Sequence, residues 1–203
     1  MLRVGLTGGI ASGKSTVARM LASRGAHFLQ ADTLAHELYA PGALVYDEVV
    51  RHFGREILND DATINRRVLA NLAFPDRIGE LNAIVHPAVI RAQTQWMDEM
   101  AREDPHGIAV VEAALVIEAG AAKDFDKLIV VTCDFERKFE RFAGRAGISL
   151  DAAREEVERR SAAQLSDEQK ASHANYVIDN SGSLEETEKQ VQKIWSELQG
   201  LPK

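Results

Sequence analysis

The stretch Gly8-Gly9-Ile10-Ala11-Ser12-Gly13-Lys14-Ser15 constrains this chain more than any other, because it fits G-x-x-x-x-G-K-[ST] without mismatch. It follows the apolar run Leu2 to Thr7, which reads as a short strand. It precedes Lys14 to Arg24, where Val17, Met20 and Leu21 recur at helical spacing and Gly25 acts as a stop. Strand, glycine loop and helix is the order the pattern needs. Glycines let the backbone curl until successive N–H groups converge on an anion, and the helix adds its unsatisfied donors and the positive end of its dipole. In this reading Gly9, Ala11, Ser12, Gly13 and Thr16 cradle the phosphates of a nucleoside triphosphate. Lys14 reaches the β- and γ-phosphates, and the Ser15 hydroxyl ligates Mg²⁺. The bland alternative is a glycine-rich turn with a chance lysine. The strand before the loop and the helix after it argue against that.

The rest of the chain alternates apolar runs with helical patterns, which predicts an α/β fold with a central parallel sheet. His27 to Gln30 reads as a second strand, ending at Ala31-Asp32. From Thr33 to Glu103 the reading is almost wholly helical. Leu44, Val45, Val49, Val50 and Phe53 make one stripe, closed by Gly54, and Val68, Leu69, Leu72 and Ala73 make another. Pro87 is expected to open a long helix carrying Val89, Ile90, Trp96 and Met97, since proline is tolerated in a first turn. Ile108 to Val111, Leu128 to Thr132 and Tyr176 to Asp179 read as strands, the first two as continuous apolar runs buried on both faces. Phe135 to Arg160 reads as helical and heavily charged. Ser183-Leu184-Glu185-Glu186 is a capping-box pattern that opens a helix to about Leu198.

Composition excludes several classes. At 203 residues the chain is one domain with room for one or two inserted subdomains. The single cysteine, Cys133, rules out an intramolecular disulfide and fits a reducing, cytoplasmic setting. No apolar stretch approaches the roughly 18 residues of a membrane span. The N-terminus runs straight into the glycine loop and does not read as a secretory signal. A net charge of -7 gives no global basic footprint for nucleic acid, so an anion site has to be built locally.

The loop does not say what receives the phosphate. A switch GTPase should carry Asn-Lys-x-Asp, which is absent. The D-x-x-G spacing at Asp179-Asn180-Ser181-Gly182 lies near the C-terminus and reads as a strand-ending turn. A transport or mechanical ATPase is normally longer. A small kinase fits, and it needs a base beside the acceptor hydroxyl. Asp32 sits just past the second strand, where ligands collect in a parallel sheet. It can accept the hydroxyl proton or help hold Mg²⁺ through water. Asp32 is also a suitable N-cap for a helix starting at Thr33. Arg137, Arg141 and Arg145 share one helix face, with Arg154, Arg159 and Arg160 on the next stretch. Interleaved acids make a solvated, ion-paired helix the plain reading. Arginine nevertheless suits the charge of a transferring phosphoryl group. Glu112 ends a buried strand, where an acid beside Mg²⁺ or an arginine partner is expected.

The chain resembles the dephospho-CoA kinase family over nearly its full length. The resemblance rests on Leu6-Thr7-Gly8-Gly9-Ile10-Ala11-Ser12-Gly13-Lys14-Ser15-Thr16, Ala31-Asp32 and His86-Pro87. It continues through Ala114-Leu115-Val116-Ile117-Glu118, Gln164, and Val177-Ile178-Asp179-Asn180-Ser181-Gly182. It implies ATP-dependent phosphorylation of the ribose 3′-hydroxyl of dephospho-CoA, the last step of CoA synthesis. It also implies a three-layer P-loop NTPase core, a helical CoA subdomain over about 33–105 and a lid over about 135–165. The helical region is expected to dock dephospho-CoA with its 3′-hydroxyl toward the γ-phosphate and Asp32 as base. By the same resemblance Arg141 contacts ATP, at phosphate or adenine, Arg145 is a second lid arginine, and His86 contacts the acceptor. The implied ligands are ATP, Mg²⁺ and dephospho-CoA, with no nucleic acid or membrane partner, on a monomer or weak homo-oligomer. The alternatives are another small kinase acting on a nucleotide, nucleoside or alcohol, and a nucleotide-dependent binding module. Two departures carry expectations. Ala11 stands where many members have glycine, and a negative φ there would make the methyl harmless. Ala114 stands where Pro-Leu-Leu is usual, which predicts a looser loop after the third strand.

Overall fold

In the computed structural model, which describes residues 1–74 and 76–202, the N-terminal apolar run becomes β1 (Leu2–Gly8). The other strands are β2 (His27–Gln30), β3 (Ile108–Glu112), β4 (Lys127–Thr132) and β5 (Tyr176–Asp179), in a sheet of order β2-β3-β1-β4-β5. The helices are α1 (Lys14–Ala22), α2 (Ala31–Leu38), α3 (Tyr46–Phe53), α4 (Arg66–Ala73) and α5 (Ile78–Glu103), followed by α6 (Phe135–Ala146), α7 (Leu150–Ser161), α8 (Asp167–Ser172) and α9 (Leu184–Gln199). The pairs β1–β3, β1–β4 and β4–β5 are parallel, with Val4 opposite Val110 on one side and Lys127 on the other. Parallel strands need covering on both faces, which is why β3 and β4 read as unbroken apolar runs. Val4, Leu6, Val110, Ile129 and Val131 pack with Val17 and Leu21 of α1 and with Val191 and Ile194 of α9. Leu128 and Val130 pack instead with Val116 and Ala121. Strands lie on both sides of β1, so the loop after it opens at the crevice where open α/β sheets bind ligands. No helix among the described residues is long and apolar enough to cross a membrane.

Contacts divide the chain into two units, residues 1–29 with 99–203, and residues 30–98. The second has its own core of Val49, Phe53, Ile57, Leu69, Ala73, Leu81, Val85 and Ala88. It is less helical than expected: an antiparallel bridge joins Leu58 to Ile64, and the Asn65 side chain then caps α4 by accepting from the Val68 N–H at 3.1 Å. Pro87 does not open a helix. It lies inside α5. Proline removes one intrahelical donor and crowds the carbonyl four residues back. The helix runs through because both flanks are buried, by Leu81 and Val85 before Pro87 and by Ala88 and Met97 after it.

The charged region is two helices, divided at Gly147, which takes the left-handed conformation that ends α6, and at Ser149, which caps α7. The capping box at Ser183 is present, and α9 runs one residue past the expected end.

Candidate active site

The phosphate loop is shaped by close approach. Gly13 has φ +94, and a Cβ there would lie 1.9 Å from Asn180 Nδ2. Gly8 has φ +154, and a Cβ there would lie 2.2 Å from the Val131 carbonyl oxygen. Only glycine fits either place. Gly13 is the N-cap of α1, so the helix's first free N–H groups face the loop. Lys14 donates from Nζ to the carbonyl oxygens of Gly8 and Gly9, both at 3.0 Å, which folds it back over the loop. Gly9 and Ser12 are buried, Thr16 is half-buried, and Ser15 is exposed at the start of α1. The buried Ser12 Oγ has no hydrogen-bond partner, so a phosphate oxygen would satisfy it. Mg²⁺ takes oxygen ligands, keeps several waters and is held largely by nucleotide phosphates. The exposed Ser15 hydroxyl beside an anion nest fits that ion.

Ala11 overturns an expectation. Its φ is +55, in the left-handed region, where a Cβ costs about 1–2 kcal/mol. The cause is a turn from Gly9 to Ser12, closed by the Ser12 N–H on the Gly9 carbonyl at 3.3 Å. Ala11 is the third residue of that turn, a position that favours glycine when φ is positive.

Two side chains from distant segments hold the loop from behind. Asn180 donates from Nδ2 to the Ser12 carbonyl at 2.8 Å and accepts from Thr187 Oγ1 at 2.8 Å. Arg141 donates to the same Ser12 carbonyl at 3.4 Å, to the Asn180 carbonyl at 2.8 Å and to Cys133 Sγ at 3.2 Å. Arg141 is thus the arginine of its helix face that reaches the loop. Arg137 pairs with Glu140, and Arg145 lies over the Phe142 ring. Arg154 pairs with Glu136, and both Arg159 and Arg160 pair with Glu156, whose carboxyl the Arg159 hydrogen bond brings down to about 2. For Arg137, Arg154, Arg159 and Arg160 the plain reading as an ion-paired helix surface holds.

A cavity of about 500 Å³ opens beside the loop, with Gly9, Cys133, Lys138, Gln164 and Asp167 in its lining. Lys138 is almost wholly buried, with Nζ 2.7 Å from Asp167 Oδ2, and Asp167 also accepts from the Cys133 N–H. Gln164 Oε1 is buried here without a partner. Burial pushes the Cys133 thiol above its ordinary value, partly opposed by Arg141, which fits an unreactive cysteine.

A second buried pair anchors the same segment. Lys170, fully buried, lies 2.9 Å from Glu118 Oε1 and 2.9 Å from the Ala114 carbonyl. Glu118 also accepts from the Leu165 N–H. Burial would raise the Glu118 carboxyl, but the Lys170 hydrogen bond and the backbone donors outweigh it and hold the group below its ordinary value. The loop expected to be loose at Ala114 is therefore pinned, since Thr7 Oγ1 donates to the same carbonyl at 3.1 Å. Sequence reasoning missed Lys138, Asp167 and Lys170 because nothing local distinguishes them from surface charges. Asn180 carried a signal only as part of a family string.

The remaining candidates lie as follows. Asp32 is exposed in the first turn of α2, which starts at Ala31 and not at Thr33. It is thus inside the helix rather than its cap, where a carboxylate still favours the dipole. His86 is half-buried within α5. Glu112 is buried at the end of β3, opposite Leu6 of β1. The Asp179 side chain accepts from the Ser181 N–H and hydroxyl, so the D-x-x-G stretch is a turn.

The sequence matches the family described as dephospho-CoA kinase over residues 2–186. It is 47% identical over 199 residues to a dephospho-CoA kinase of Geobacter metallireducens, covering 97% of this chain and 96% of that one. It is 44% identical to a dephospho-CoA kinase of Aquifex aeolicus, covering 98% of each. Among solved structures, TT1252 from Thermus thermophilus superposes with a TM-score of 0.80 at 36% identity, covering 97% of each chain. The phosphate loop at the end of β1 and these full-length similarities agree, and the chain belongs to the dephospho-CoA kinase family.

Proposed function

We infer that the chain transfers the γ-phosphoryl group of ATP to the ribose 3′-hydroxyl of dephospho-CoA, giving CoA. The observation that carries this is the family match over residues 2–186, with the phosphate loop intact inside it. The phosphates of ATP occupy the loop from Gly9 to Thr16. Lys14 leaves the Gly8 and Gly9 carbonyls for the β- and γ-oxygens, and Ser12 Oγ gains a partner. The Ser15 hydroxyl would help hold Mg²⁺, which would supply charge neutralisation during the transfer. The helical region over about 33–105 carries the acceptor, with His86 among its contacts. Asp32 accepts the proton of the 3′-hydroxyl as the oxygen attacks phosphorus. Arg141, its guanidinium ordered by the Ser12 and Asn180 carbonyls, contacts the nucleotide at phosphate or adenine. The hairpin over about 135–165 serves as a lid that excludes water, the competing acceptor. Catalysis in this scheme is positioning and electrostatics, with no covalent enzyme intermediate. A cytoplasmic location and a monomer or weak homo-oligomer complete the proposal. The lone buried cysteine supports the reducing location.

The test is Mg·ATP turnover with and without dephospho-CoA, following ADP release and the product mass. A product heavier by one phosphoryl group, formed only with the acceptor, is expected. ADP release that ignores dephospho-CoA would leave the loop assignment standing and overturn the acceptor.

A further inference from the structure

Two features of the loop belong together. Ala11 is held at φ +55, and both Ile10 and Ala11 pack against a buried apolar cluster on α6 and α7: Phe139, Phe142, Ala143, Ala153 and Val157. A residue other than glycine stays in the left-handed region only where its surroundings hold it there. Inside the loop, the hydrogen bond across this turn is the 3.3 Å contact from Ser12 to Gly9, which is long for an N–H donor. The apolar cluster supplies the rest. It is the inner face of a hairpin whose outer face carries the Arg137, Arg154, Arg159 and Arg160 ion pairs.

We propose that the α6–α7 hairpin holds the phosphate loop in its anion-binding shape through this contact, with Ile10 and Ala11 as positioning residues. An anion nest needs consecutive N–H groups converging on one point. Were φ of Ala11 to turn negative, the turn closed by the Ser12 N–H on the Gly9 carbonyl would open, and the N–H groups around it would no longer converge. Loosening the hairpin therefore costs ATP affinity. By linkage, a triphosphate in the loop tightens the hairpin by the same factor. The Ala11 methyl makes this chain dependent on the clamp, because glycine at that position would reach positive φ unaided. The inference rests on reading the loop as the ATP phosphate site.

The test is a double-mutant cycle on the full-length protein. Calorimetry with Mg²⁺ and a β,γ-imido analogue of ATP would give Kd for the parent, Val157→Ala, Ala11→Gly and the double variant. Val157 is fully buried in the cluster and lies outside the loop. Val157→Ala should raise Kd by about fivefold in the parent. In the Ala11→Gly background the same change should cost less than about twofold. A purely structural role for Val157 would cost the same factor in both backgrounds. An unchanged Kd in Val157→Ala, or the same factor in both backgrounds, would overturn the coupling. If Val157→Ala does not fold, Phe142→Leu is read in the same way. A parent that fails to bind the analogue overturns the loop reading itself. A parent that binds while Val157→Ala matches it overturns only the coupling.

Discussion

The carboxamide of Asn180 donates to the carbonyl oxygen of Ser12 at 2.8 Å, joining residues 168 apart in the chain. The contact sets the back wall of the phosphate loop, and Gly13 is glycine because Asn180 occupies the space a Cβ would need. Asn180→Ala should remove this bond and the one from Thr187, destabilising the fold by about 1–3 kcal/mol. It should also raise KM for ATP, because the Ser12 peptide is no longer fixed. Thermal melts and ATP titrations check both, and an unchanged pair of values would sink the assignment.

Gly13→Ala should be worse. The added methyl meets Asn180 Nδ2 at 1.9 Å, in a backbone conformation that L-residues avoid. ATP binding should fall below detection while far-ultraviolet circular dichroism stays close to the parent. A variant that binds ATP normally would mean the loop adopts another shape when loaded.

Lys14→Ala should leave the fold intact, since Lys14 is half-buried at the start of α1 and its ammonium donates to the Gly8 and Gly9 carbonyls of the loop. Turnover should drop by about 10²-fold or more as the γ-phosphate loses its lysine. An unchanged kcat would contradict the placement.

Asp32→Asn keeps the size of an exposed side chain and removes its basicity. ATP affinity should be preserved while kcat falls by about 10²-fold. Near-normal turnover would exclude Asp32 as the base.

The buried Lys170–Glu118 pair gives a prediction about pH. The folded Glu118 carboxyl lies below its ordinary 4.5, so its stabilisation is fully present above 4.5 and is lost as pH falls through the lower folded value. Glu118→Gln should cost about 1–3 kcal/mol at neutral pH, because it leaves the Lys170 ammonium buried beside a neutral group. The gap in melting temperature between parent and variant should narrow as pH drops below 4.5. A gap independent of pH would show that the pair contributes no charge-dependent stability.

What could be read from the chain alone was local. The phosphate loop and its strand and helix, the buried runs of β3 and β4, and the capping box at Ser183 are each set within a few residues. Apolar periodicity and a cap side chain report neighbours along the chain. Family membership was legible for the same reason, since it rested on short strings. Where local rules met tertiary packing, the rules lost. Proline at 87 reads as a helix start, yet buried side chains on both flanks carry α5 through it. Alanine at 11 reads as harmless, yet the turn from Gly9 to Ser12 forces a positive φ.

The tertiary structure alone decided which charged residues were structural and which reached the site. Arg137, Arg141 and Arg145 are equivalent in spacing, and the pairing of β4 with β1 and with β5 brings Ser12 and Asn180 within reach of Arg141. Lys138 and Lys170 look like surface lysines in the sequence. Each is buried because an acid distant in the chain, Asp167 or Glu118, meets it there. A charge is buried only when a partner meets it, and partners 29 to 52 residues away along the chain are chosen by the fold, not by the sequence near them.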